Sequence, residues 1–119
     1  MVNGFSKEEV DKFLVRVKRI ENEQYRFQPR EKNRKLDNEF GLSRNDKCDI
    51  IRSLKECECI DISKNRNPNY PDEDVFTFIA ERSLISYGEV EGVKMYIKLY
   101  ITNKDMDLVI IISLHENEF

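Results

Sequence analysis

From Val93 to Thr102 the chain alternates strictly, with Val93, Met95, Ile97, Leu99 and Ile101 set against Lys94, Tyr96, Lys98, Tyr100 and Thr102. A strand turns successive side chains to opposite faces. This segment must therefore lay an apolar face on a core and leave a Tyr/Lys face for solvent or a ligand. Something else in the chain has to cover the apolar face.

The first half is built to do so. Ser6-Lys7-Glu8-Glu9 has the form of a capping box, and Val10, Phe13, Leu14, Val17 and Ile20 follow at three- and four-residue spacing. That stripe predicts a helix from about Lys7 to about Asn22. Tyr25 to Pro29 alternates and ends at proline, which reads as extended chain or a turn. Arg30 to Phe40 reads as a second helix with Leu36 and Phe40 inward and Gly41 as its C′ residue. Ser43 opens a third, whose Cys48, Ile51 and Leu54 face the core.

The stretch SKNRNPNYPDED, Ser63 to Asp74, is rich in Pro, Asn and Asp and predicts a loop long enough to be functional. Beyond it the period is two. Val75 to Ile79 is one predicted strand, Val93 to Ile101 a second and Leu108 to Leu114 a third. The last two form a hairpin through Asn103-Lys104-Asp105. Helices then strands give an α+β domain spanning residues 1–119, with N-terminal helices packed on one face of a C-terminal antiparallel sheet.

Composition narrows the class of function. With 119 residues, 39% hydrophobic and 36% charged, the chain is too apolar for a disordered tail. Its longest apolar run, Leu108 to Ile112, is far short of the roughly 20 residues that cross a bilayer, so no membrane partner is expected. MVNGFSKEEV lacks the basic and apolar regions of a secretory signal. Three cysteines cannot all pair within one chain, which points to a reducing, cytoplasmic setting. Cys57-x-Cys59 lacks the spacing and second ligand pair of a zinc site, so neither metal nor cofactor is expected.

The net charge of −3 hides an asymmetry. Arg16 to Lys35 holds eight basic residues (Arg16, Lys18, Arg19, Arg26, Arg30, Lys32, Arg34, Lys35) and three acidic ones (Glu21, Glu23, Glu31), a net of +5 that leaves −8 for the rest. Such a run is either a solvated helix face or a phosphate-binding patch. Tyr96, Lys98 and Tyr100 share one strand face. A lysine there can hold a phosphate, and a tyrosine can stack on a base or move a proton. His115, the single histidine, ends the last strand. It falls near Lys98 if the hairpin closes as expected.

Read in order, the second half resembles the MqsR family of toxin–antitoxin ribonucleases. The matching pieces are Asp74-Val75-Phe76-Thr77-Phe78, Tyr96-Ile97-Lys98-Leu99 and Ile112-Ser113-Leu114-His115-Glu116-Asn117-Glu118-Phe119. In the first half, Arg30, Lys32 and Asn33 resemble the family's R-x-K-N element, and Phe40-Gly41-Leu42-Ser43 its helix junction. Where family members carry Tyr-Lys after the third helix, this chain has Ile60-Asp61, with Lys64 the nearest substitute.

The resemblance implies a RelE-like fold, metal-independent cleavage of mRNA, and an antitoxin protein as partner. By position it implies His115, Lys98 and Tyr96 as catalytic residues and Arg30, Lys32, Lys64 and Tyr100 as RNA-binding residues. Metal-free cleavage needs a base for the 2′-OH, an acid for the leaving 5′ oxygen and cations for the phosphate charge. His115 or Tyr96 would act as base or acid, with Lys98 and Arg30 or Lys32 as the cationic clamp. The alternative is a non-catalytic member of the same fold, such as a phage-encoded protein that regulates or inhibits a nucleic-acid machine. The acidic total and the missing Tyr-Lys pair favour that alternative.

Overall fold

The computed structural model describes residues 5–70, 72–103 and 105–117. Helix α1 spans Lys7–Arg19 and opens on the expected capping box: the Glu9 amide donates to Ser6 Oγ at 3.2 Å, and the Ser6 amide to Glu9 Oε1 at 3.4 Å. It ends three residues sooner than its periodicity predicts. Ile20 is extended and buried, its carbonyl accepts from Arg52 Nη2 at 2.7 Å, and a 3₁₀ turn over Asn22–Gln24 redirects the chain.

That turn delivers β1, Tyr25–Phe27, into the sheet parallel to the last strand. The sheet is therefore mixed, not antiparallel throughout. The cause is the entry from the helical side in the same direction as β5; the intervening chain serves as the long crossover a parallel pair requires. Burial pushes the Tyr25 phenol up to about 12, so it stays a neutral donor to the Val17 carbonyl at 2.9 Å. Helix α2 (Glu31–Phe40) stops at Gly41, whose φ of 57° is a left-handed conformation that glycine adopts without penalty. Helix α3 (Arg44–Arg52) has its own capping box between Ser43 and Asp46. Cys48, Ile51 and Leu54 are buried as expected.

Strand β2, Cys59–Lys64, includes Ser63 and Lys64, so the loop is shorter than its composition suggests. This edge strand is mostly half-buried, and an edge with one covered face leaves little periodicity to read. Strand β3 runs Asp74–Ser86 and β4 Glu89–Thr102, well beyond the expected limits. They join at Tyr87-Gly88, with φ of 51° and 81°, the sign pattern of a type I′ hairpin turn. Strand β5 is Leu108–Glu116 and forms the expected hairpin with β4. Lys104 of its turn lies outside the described residues, as do Glu118 and Phe119 of the closing motif.

The sheet order is β1-β5-β4-β3-β2. Met95, Ile97 and Leu99 of β4 are fully buried in one core with Val10, Phe13, Val17, Leu36 and Ile51 from the three helices. Phe13 stacks on Phe76 with centroids 3.8 Å apart. The opposite face is less open than alternation predicts: Tyr100 and Thr102 are buried. Tyr70, from the loop after β2, lies over Tyr100 with ring centroids 5.9 Å apart. No helix among the described residues is long and apolar enough to cross a membrane.

Candidate active site

One irregularity in β5 decides where the last strand's side chains point. Lys98 pairs with Ser113 while Leu99 pairs with Ile111, so Ile112 is an extra residue in β5. Simple alternation from Val109 and Ile111 would send Ser113 and His115 into the core. The bulge inverts the phase. Leu114 is buried against the helices, and Ser113 and His115 join Tyr96 and Lys98 on the face away from them. Bulges commonly re-aim side chains in this way beside functional sites.

Asn33 holds the bulge. It sits on the buried stripe of α2 with Leu36 and Phe40. Its Nδ2 donates to the carbonyls of Ile112 and Gln28, both at 3.0 Å, and its Oδ1 accepts from the Leu114 amide at 3.0 Å. Strand β1 ends opposite Ile111. The Asn33 amide therefore takes over the edge of β5 where the strand partner stops.

The resulting cleft, of about 290 Å³, is lined by Arg30, Lys32, Tyr96, Lys98, Ser113, His115 and Asn117. Tyr96 and His115 face each other across the β4–β5 pair with rings stacked, centroids 5.3 Å apart and 18° between planes. His115 Nδ1 is 3.0 Å from the Glu116 carbonyl oxygen. A carbonyl can only accept, so this contact puts the proton on Nδ1 and leaves the lone pair of the neutral ring on Nε2. Arg30 Nη1 donates to Ser113 Oγ at 3.2 Å, which fixes the guanidinium at the rim. The Lys98 side chain has no hydrogen bond or ion pair among the described residues and is half-buried beside them. Among the described residues, three cations and no carboxylate line this cleft, a charge balance suited to a phosphodiester, although His115 and Lys32 also border a smaller hollow with Glu39 and Glu116.

Of the residues expected from the sequence, His115, Lys98, Tyr96, Arg30 and Lys32 come together in this cleft. Lys64 and Tyr100 do not. They line a neighbouring cleft that meets the first at Lys98. Tyr100, at 2% exposure, has little ring surface to offer a base. The basic run Arg16 to Lys35 also divides. Arg30, Lys32 and Lys35 reach the clefts on the site side, whereas Arg16 lines a separate hollow with Glu9, Asp72 and Glu73, and Arg26 is bonded to the Glu23 carbonyl.

Sequence reasoning singled out Asn33 only as part of a motif and gave Ser113 no role. A polar residue at an inward position of α2 was the available signal. Among the described residues no three His, Cys, Asp or Glu side chains converge on a point. Cys48 and Cys59 are buried free thiols whose pKa values burial raises. Comparison with known protein families, curated proteins and solved structures finds no match to this chain.

Proposed function

We propose that the chain is a divergent MqsR-like, RelE-fold endoribonuclease: the cytoplasmic toxin of a type II pair, cleaving mRNA without a metal and neutralised by an antitoxin protein. One observation carries the reading. His115 and Tyr96 stack in a cleft whose charged lining, among the described residues, is Lys98, Arg30 and Lys32. In the proposed reaction Nε2 of His115 takes the proton of a ribose 2′-OH and the 2′ oxygen attacks the adjacent phosphorus. The bond to the 5′ oxygen breaks, and that oxygen receives a proton from the Tyr96 phenol. Lys98 and Arg30 stabilise the charge gathering on the phosphoryl oxygens. The products are a 2′,3′-cyclic phosphate and a 5′-hydroxyl.

The test is cleavage of a single-stranded RNA in EDTA, with product ends identified. Wild-type protein should give those ends and arrest growth when expressed without an antitoxin. His115→Ala should slow cleavage by roughly 10²–10⁴-fold, and Lys98→Ala comparably, with the fold intact by circular dichroism. Full activity in His115→Ala would discard this active site. The net charge of −3 and Ile60-Asp61 favour a second reading, a non-catalytic binding protein of the same fold. RNA binding by wild-type protein without cleavage would decide for it.

A further inference from the structure

Lys98 also lines a second and larger cleft, of about 630 Å³, whose lining runs from Asp61, Ser63 and Lys64 of β2 to Ile112 of β5 and Gln28. Lys64, at the end of β2, and Arg66, just beyond it, lie in its wall with Asp61 as the single carboxylate among the described residues. Among the described residues cations thus outnumber acids three to one around a cleft that shares Lys98 with the proposed reaction centre.

The wall is ordered from within. The Asn67 amide donates to Asn65 Oδ1 at 2.9 Å, and the Asn69 amide to Asn67 Oδ1 at 3.0 Å, two side-chain-to-backbone turns in succession. Tyr70, packed on Tyr100, ties the same loop to the sheet. Asn65 spends its acceptor on the loop, and its Nδ2 is buried without a hydrogen-bond partner. A buried donor left unmet is costly and unusual in a folded chain. Gln28 and Asn67 add further amide groups to the same lining.

We propose that this cleft is a nucleotide subsite: it holds the single-stranded RNA next to the scissile phosphate and selects which sequences are cut. Lys64 and Arg66 take a flanking phosphate, Lys98 bridges the two clefts, and Asn65 turns its unmet donor to an acceptor on the base. The inference rests on the ribonuclease reading for its consequence, but its binding can be tested separately.

Two measurements separate them. In the His115→Ala background, anisotropy of a labelled mixed-sequence RNA should show affinity falling roughly tenfold in Lys64→Ala/Arg66→Ala. The salt dependence should become shallower by about 0.7 log units per log of salt for each phosphate that is no longer neutralised. In the active protein, Asn65→Ala should change which positions of a long RNA are cut. RNA binding that depends on Lys64 and Arg66, without cleavage by the wild type, keeps the subsite and removes the nuclease. Cleavage whose RNA affinity, salt slope and cut positions are the same in all these variants overturns the subsite and keeps the nuclease. Failure to bind RNA, or equal binding of a polyglutamate peptide, overturns the subsite as well.

Discussion

Asn33 shows how much of a site one side chain can determine. Two of its three hydrogen bonds fasten α2 to the bulge that turns His115 outward, and the third holds the Gln28 carbonyl beside it. Asn33→Ala leaves the Ile112 carbonyl and Leu114 amide without those partners, an expected loss of about 1–3 kcal/mol readable as a lowered melting temperature. Cleavage should fall further than the stability loss explains, because a relaxed bulge no longer holds the Tyr96–His115 pair. Asn33→Asp should be no better, since a carboxylate accepts from Leu114 but cannot donate to Ile112. Equal activity in Asn33→Ala would separate the bulge from the chemistry. The sequence marks Asn33 as out of place among Leu36 and Phe40. It does not reveal the partner, because a bulge has no residue signature and simple alternation puts His115 on the wrong face.

At the scale of elements, a single arginine holds the connection between α3 and β2 against β3. Arg82 forms a two-pronged pair with Glu58, Nη1 to Oε2 at 2.7 Å and Nη2 to Oε1 at 2.8 Å, while Nε reaches Ser53 Oγ at 3.0 Å. The Arg82 hydrogen bonds hold the Glu58 carboxyl below its usual range. A carboxylate with a depressed folded-state pKa stabilises the fold above the ordinary value near ~4.3, and that contribution disappears as pH falls through the folded-state value. Glu58→Gln should therefore cost about 1 kcal/mol at neutral pH, discounted for the pair's partial exposure. The gap to wild type should close in denaturant titrations repeated toward pH 3, and a constant gap would rule out the pair as its source.

The β3–β4 hairpin offers a second test at this scale. Tyr87 has a φ of 51° and is 99% exposed, so it carries a left-handed backbone without packing in return. Tyr87→Asn should raise stability by about 1 kcal/mol, measured by thermal melts. The helices, β4 and β5 were legible because each has one buried side and hence a period. The distal hairpin was not: Ile85, Val90 and Tyr87 are exposed, and no core imprints alternation on them.

Over the whole molecule, the charge that matters is local. The acidic total says nothing of a cleft lined by Arg30, Lys32 and Lys98. RNA affinity should therefore fall steeply with salt despite the protein's negative charge. Arg30→Glu/Lys32→Glu, both exposed, should weaken binding without lowering the melting temperature. Unchanged affinity in that double variant would make the positions ordinary surface.

The parallel pairing of β1 with β5 sets a schedule for biosynthesis. Tyr25 meets Val109 and Arg30 meets Ser113, so these contacts close loops of more than eighty residues, the kind that form late. A nascent chain carries Arg30 and Lys32 early, but it has no cleft until β5 has been made and has slotted between β1 and β4. If the protein is a ribonuclease, translation itself acts as a safety catch: a chain still short of its last strand is harmless to the message being read.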